Sequence, residues 1–137
     1  MKALRIRAKD ENLNQLNEFI HNSIDGFSVS PKVLVAIDLA VEEIFVNICH
    51  YAYAPQTGDV EIKCTVKDKP RTLEIAFEDE GEPFNPLEKD DPDTKLGADE
   101  RNIGGLGILL TKKFMDGVSY RYECGKNILV IQKDLGE

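Results

Sequence analysis

One stretch constrains this chain more than any other: Ser30 to Pro55, SPKVLVAIDLAVEEIFVNICHYAYAP. Ser30 is a good helix N-cap, and Pro31 suits the first helical position, where its missing N–H is not needed. Pro55 ends the stretch, because the residue before a proline is pushed out of the helical region. The spacing predicts a helix more than twice the average length. Leu34, Ile37, Val41, Ile44, Ile48 and Ala52 recur at helical spacing and form one apolar face. Roughly opposite runs a second stripe of Ala36, Ala40, Glu43, Asn47 and His50. A helix with so little polar surface is buried on several sides, so Glu43 and Asn47, one turn apart, sit where unpartnered polar groups are costly. Two readings compete. In one, they hydrogen-bond to loops and the helix is scaffold. In the other, Asn47 presents its carbonyl oxygen to a metal and Glu43 faces a reacting group. Glu42 is adjacent, and facing alone selects Glu43. His50 shares the stripe, either as an end cap or as a pocket residue.

The rest of the chain alternates short strands with helices. Ala3 to Ala8 reads as a first strand. Asp10 can cap a helix with the apolar stripe Leu13, Leu16, Phe19, Ile20 and Ile24, stopped at Gly26. Asp59 to Asp68 and Arg71 to Glu78 alternate cleanly about the turn Lys69-Pro70, which predicts an antiparallel hairpin with one face solvated. Periodicity is lost from Glu82 to Gly105, a segment with Pro83, Pro86, Pro92 and the acidic run Glu88 to Asp93. A structureless loop this long inside a compact domain is functional or mobile, and its flanks favour a lid over a tolerated insertion. Asp79-Glu80-Gly81 precedes it, and Gly104-Gly105-Leu106-Gly107 follows, opening a helix to about Met115. Val118 to Cys124 and Ile128 to Gln132 read as two strands joined by the turn Gly125-Lys126-Asn127. Three main helices and five strands result. The fold class is α+β: a two-layer sandwich of a mixed, mostly antiparallel sheet with helices on one face.

Bulk properties narrow the function. At 137 residues, one domain is expected, with enough chain for a real core. The formal net charge of −8 argues against a general nucleic-acid binder and against docking on an anionic membrane. No apolar run approaches membrane-spanning length, and the N-terminus lacks a signal-peptide pattern. The cysteines Cys49, Cys64 and Cys124 are odd in number and far apart, which disfavours a disulfide framework or a zinc site. Three reduced, mostly buried thiols fit a cytoplasmic location.

Three segments have a use with one ligand. Glycines at a helix N-terminus expose backbone N–H groups to phosphates. Asp79, with Gly81 allowing close approach, can accept from the exocyclic amine of adenine. Asn47 offers a hard oxygen to Mg²⁺, and Glu43 can reach a hydroxyl or water near the terminal phosphate. In this order the segments resemble the Bergerat-fold (GHKL) ATP-binding superfamily and, within it, the small anti-sigma-factor serine/threonine kinases of bacteria. Glu43 to Asn47 resembles the N box, and Asp79 to Phe84 the first glycine box. Gly104 to Ile108, running on to Asp116, resembles the second glycine box.

The resemblance spans essentially the whole chain and implies a single ATP-binding domain, residues 1–137, with an ATP lid at about 82–105. It further implies that Asn47 ligates Mg²⁺, Asp79 contacts the adenine amine and Gly81 makes room for the base. Gly104, Gly105, Leu106 and Gly107 cradle the phosphates of ATP, Arg101 contacts the terminal phosphate, and Glu43 is the general base. The implied partners are a sigma factor and an anti-anti-sigma protein with a sulfate-transporter-and-antagonist-type (STAS) domain, with a homodimer as a further candidate. The alternative is a non-catalytic nucleotide-binding module that switches protein partners.

Overall fold

In a computed structural model the described residues are 1–53, 57–68, 70–83, 85 and 111–136. The elements in chain order are β1 (Lys2–Arg7), a 3-10 turn (Asp10–Asn12), α1 (Leu13–Ile24), α2 (Pro31–Asn47), a π-helical turn (Ile48–Ala52), β2 (Asp59–Lys67), β3 (Thr72–Asp79), β4 (Gly117–Glu123) and β5 (Lys126–Asp134). Residues 111–114 are also helical. They are the described end of the helix expected from Leu106 to Met115.

The five strands form one sheet in the order β1-β2-β3-β5-β4. Every pairing among them is antiparallel, so the sheet is less mixed than the sequence pattern suggested. β3 is central, and its alternation decides the layers: Leu73, Ile75 and Phe77 are buried, while Thr72, Glu74, Ala76 and Glu78 are only partly covered. The covered face packs against Leu16 and Ile20 of α1 and Ile37, Val41, Ile44 and Phe45 of α2 in one core. The other face carries charge pairs across neighbouring strands, Lys63–Glu78 at 2.9 Å and Lys67–Glu74 at 3.0 Å. The result is a helix layer on one side of a sheet, because each element has a single apolar face to bury.

The helix ends show where local signals suffice and where they do not. Ser30 caps α2 as expected, its Oγ accepting from the Val33 N–H at 3.2 Å. Asp10 does not cap α1: the 3-10 turn intervenes without a side-chain cap. Its carboxylate instead meets His50 Nε2 at 2.9 Å, joining the start of α1 to the turn after α2. That contact keeps His50 on the exposed surface. The expected turn at Gly125-Lys126-Asn127 is also displaced. Cys124 and Gly125 form the two-residue turn, with φ of 54° and 77°, a left-handed pair suited to a tight hairpin. Lys126 and Asn127 already belong to the ladder, opposite Glu123 and Tyr122. Cys124 is therefore exposed, contrary to the expectation of mostly buried thiols. Cys64 is buried, Cys49 half-buried, and all three thiols are free. Burial, with the Asp10 carboxylate adding to it, pushes the Cys49 thiol up to about 12.

Candidate nucleotide site

The site is built where α2 ends and β3 ends. Ile37, Val41, Ile44 and Phe45 are drawn onto the sheet, which leaves Glu43 and Asn47 on a flank of the helix, half-buried. The Asn47 amide stands beside the Glu43 carboxylate and favours its charged form. Asn47 Oδ1 and Glu43 Oε2 are nonetheless buried without any hydrogen-bond partner, two of four such side-chain atoms among the described residues. An unmade hydrogen bond on a buried polar atom costs about 1–3 kcal/mol, so a pair on one helical turn marks a place built for something else. Burial pushes the Glu43 carboxyl above the usual carboxylate range. Asn47 opposes the shift and the neighbouring Glu42 charge adds to it.

Directly after Asn47 the backbone widens into the π-helical turn Ile48–Ala52. Single π turns inside helices are rare and recur at functional sites. This one ends against the turn that follows β3. The Ala52 carbonyl accepts the Glu82 N–H at 3.1 Å. A Cβ on Gly81 would lie 2.2 Å from the same carbonyl oxygen. The close approach that requires glycine here is therefore to the end of the helix.

Asp79 occupies the next inward position of β3 after Phe77, where the alternation calls for an apolar residue. It is only 6% exposed. Its Oδ1 accepts from the Gly81 N–H at 2.9 Å and from Asn127 Nδ2 at 2.9 Å. Burial raises the Asp79 carboxyl above its ordinary value, and these two donors pull it back. Asn127 Nδ2 also reaches the carbonyls of Glu82, at 2.9 Å, and Gly81, at 3.3 Å. On the other side, the Tyr53 hydroxyl accepts the Glu80 N–H and donates to the Asp59 carbonyl, each at 2.7 Å.

Asn47, Glu43, Asp79 and Gly81 thus lie on two segments joined through Ala52. Arg101, Gly104, Gly105, Leu106 and Gly107 lie outside the described residues. Sequence reasoning missed Asn127, which read as a turn residue, and Tyr53, for which no local pattern exists. Only part of the signal lay in the hairpin: with Cys124-Gly125 as the turn, Asn127 joins the β5 ladder opposite Tyr122, and the long-range β3–β5 register then sets it opposite Asp79.

The arrangement can hold a hard cation at the Asn47 carbonyl oxygen, accept an amine at Asp79, and accept a proton at Glu43. No group of three or more His, Cys, Asp or Glu residues that could hold a metal is present among the described residues. A cation here would therefore be completed by water and ligand oxygens, as Mg²⁺ usually is.

A family model described as the histidine kinase-like ATPase domain matches residues 6–133. The chain is 24% identical over 130 residues to the anti-sigma F factor of Clostridium acetobutylicum, covering 95% of this chain and 90% of that protein. It is 26% identical over 102 residues to the serine/threonine-protein kinase BtrW of Bordetella bronchiseptica, covering 74% of this chain and 71% of that one. Among solved structures, the histidine kinase domain of a blue-light activated histidine kinase from Erythrobacter litoralis superposes with a TM-score of 0.58 over 92% of this chain at 16% identity. This chain spans 60% of that structure, and the likeness there is one of fold.

Proposed function

Because this chain belongs to the histidine kinase-like ATPase domain family, we propose that it is an ATP-dependent anti-sigma factor and serine/threonine protein kinase, which binds a sigma factor and phosphorylates an anti-anti-sigma partner of the STAS type in the cytoplasm. The observation that carries this reading is the Glu43–Asn47 pair, a carboxylate and an amide on one helical turn, each with a buried oxygen left unbonded. The two relatives, one named for anti-sigma activity and one for serine/threonine kinase activity, support the finer part.

In this reading Asp79 selects the adenine base and the glycines Gly104, Gly105 and Gly107, with the Leu106 backbone, receive the phosphates. Arg101 adds positive charge at the terminal one. The unbonded Asn47 Oδ1 fits Mg²⁺, which when bound supplies neutralisation of phosphate charge. Glu43 Oε2 takes the proton of a serine or threonine hydroxyl as that oxygen bonds to the γ-phosphorus and ADP departs. A carboxylate raised toward neutrality by burial serves this role better than an exposed one, since a base works best with a pKa near the working pH.

The test is direct. The chain, Mg-ATP labelled on the γ-phosphate and the cognate STAS protein are mixed, and label is expected on a serine or threonine of the partner. Absence of transfer, with ATP binding intact, overturns the kinase and leaves a nucleotide switch. Asn47→Ala gives an independent check by calorimetry. The gain in ADP affinity that Mg²⁺ confers on the native chain should collapse, while ADP affinity in chelator changes little.

A further inference from the structure

Asn127 is held at both ends. At one end of its amide stand three acceptors: Asp79 Oδ1 and the Glu82 carbonyl, both at 2.9 Å, and the Gly81 carbonyl at 3.3 Å. This end must be the NH₂, since a carbonyl oxygen placed there would face three other oxygens. The Asn127 carbonyl oxygen at the other end accepts from the Tyr120 hydroxyl. The residue is 6% exposed and sits opposite Asp79 across the β3–β5 pairing.

This anchoring decides what Asp79 can offer. Its Oδ1 is filled by two donors, the Asn127 amide and the Gly81 N–H. Its Oδ2 receives no hydrogen bond among the described residues. Donors that favour the charged form offset the burial that disfavours it, and both influences act on Asp79. The other ionisable groups around it are Glu80 and Glu82 in its own turn, Tyr53 after the helix, Asp59 on β2 and Tyr120 on β4. Asn127 is the neutral side chain among them that donates to the carboxylate.

We infer that Asn127 is a positioning residue for base selection: by occupying Oδ1 it keeps Asp79 an acceptor only, with Oδ2 left for the base. The inference rests on the reading of Asp79 as the adenine contact. An acceptor-only carboxylate matches the exocyclic amine of adenine. Guanine and hypoxanthine carry a carbonyl oxygen at the corresponding edge, and two acceptors repel. A protonated carboxyl could donate to that carbonyl, so loosening Asn127 should relax the preference for adenine.

The experiment measures affinities of the full chain for ADP, GDP and IDP with Mg²⁺ across a pH series from acid to mildly alkaline buffer. The native chain should prefer ADP. In Asn127→Ala, ADP affinity should fall about tenfold, the scale of one lost hydrogen bond to a charged group. IDP affinity should fall less, so that the ADP/IDP ratio narrows. The acid-side loss of ADP affinity should also begin at higher pH, because Asp79 has lost a donor that favours its charged form. Tyr120→Phe frees the amide without removing it and should narrow the ratio in the same direction; it decides the matter where Asn127→Ala does not fold. Equal losses for all three nucleotides, with an unchanged pH profile in both variants, overturn the inference. A native chain that binds none of them, or binds all alike, overturns the reading of Asp79 itself.

Discussion

Glu43→Gln slows phosphoryl transfer to a partner hydroxyl by about 10²- to 10⁴-fold and leaves ADP affinity within about twofold, as expected for a group used only in the transition state. Glutamine keeps the length of the side chain and can still meet the Asn47 amide, but it cannot accept the proton. Single-turnover assays with Mg-ATP and the STAS partner would read the first effect, and calorimetry with ADP the second. An unchanged transfer rate would remove Glu43 from the chemistry.

The same substitution has a stability signature in the metal-free protein. Burial raises the Glu43 carboxyl in the folded state above 4.5. Between that value and the raised one the folded chain binds more protons than the unfolded chain. Stability contributed by this group therefore falls as pH rises through the window and stays reduced above it. Glu43→Gln should melt higher than the native protein near neutral pH, with the gap closing below the unfolded-state value. A variant that is slower yet more stable shows a residue retained for function at a cost to the fold.

Gly81→Ala should disrupt the base end of the site. The added Cβ would stand 2.2 Å from the Ala52 carbonyl oxygen and 2.6 Å from its carbon. Both atoms are backbone at the end of a packed helical turn, so relief requires moving either that turn or the strand end. Overpacking of this kind costs about 1–3 kcal/mol. The displaced segment carries the Gly81 N–H that bonds to Asp79 and the Glu82 N–H that bonds to Ala52. A lowered melting temperature should therefore accompany a loss of ADP affinity that is larger than that of Asn47→Ala measured without metal. Full ADP affinity in a chain that melts normally would show that the turn tolerates the shift and that its approach to Ala52 does not shape the site.

Several parts of this molecule were legible because they are periodic and local. The apolar residues of α2 recur every three to four positions, and burial follows them, which singled out Glu43 and Asn47 as polar residues on an enclosed helix. β3 alternates with a period of two through Leu73, Ile75 and Phe77, and its next inward place is Asp79. The glycine at 81 read as the place where a ligand comes close to the backbone; the close neighbour among the described residues is instead the Ala52 carbonyl. That carbonyl, at the end of the π-helical turn, could not be read, because no pattern in one segment names the atom of another that will touch it.

Asp10, Cys124 and Asn127 show the same boundary from the other side. Asp10 has the chemistry of a cap and finds His50, forty positions away. Moving the β4–β5 turn to Cys124 and Gly125 carries Asn127 from an expected turn into the sheet, opposite Asp79. The π turn after Asn47 ends against the segment after β3, a meeting that no pattern within the helix states. Residue spacing states which side of each helix and strand must leave water, since that preference accumulates along a single element. The register and angle at which elements meet minimise the energy of the whole packed core. For that reason the partners of Asp79, Gly81 and Asn127, and with them the shape of the site, were decided only in three dimensions.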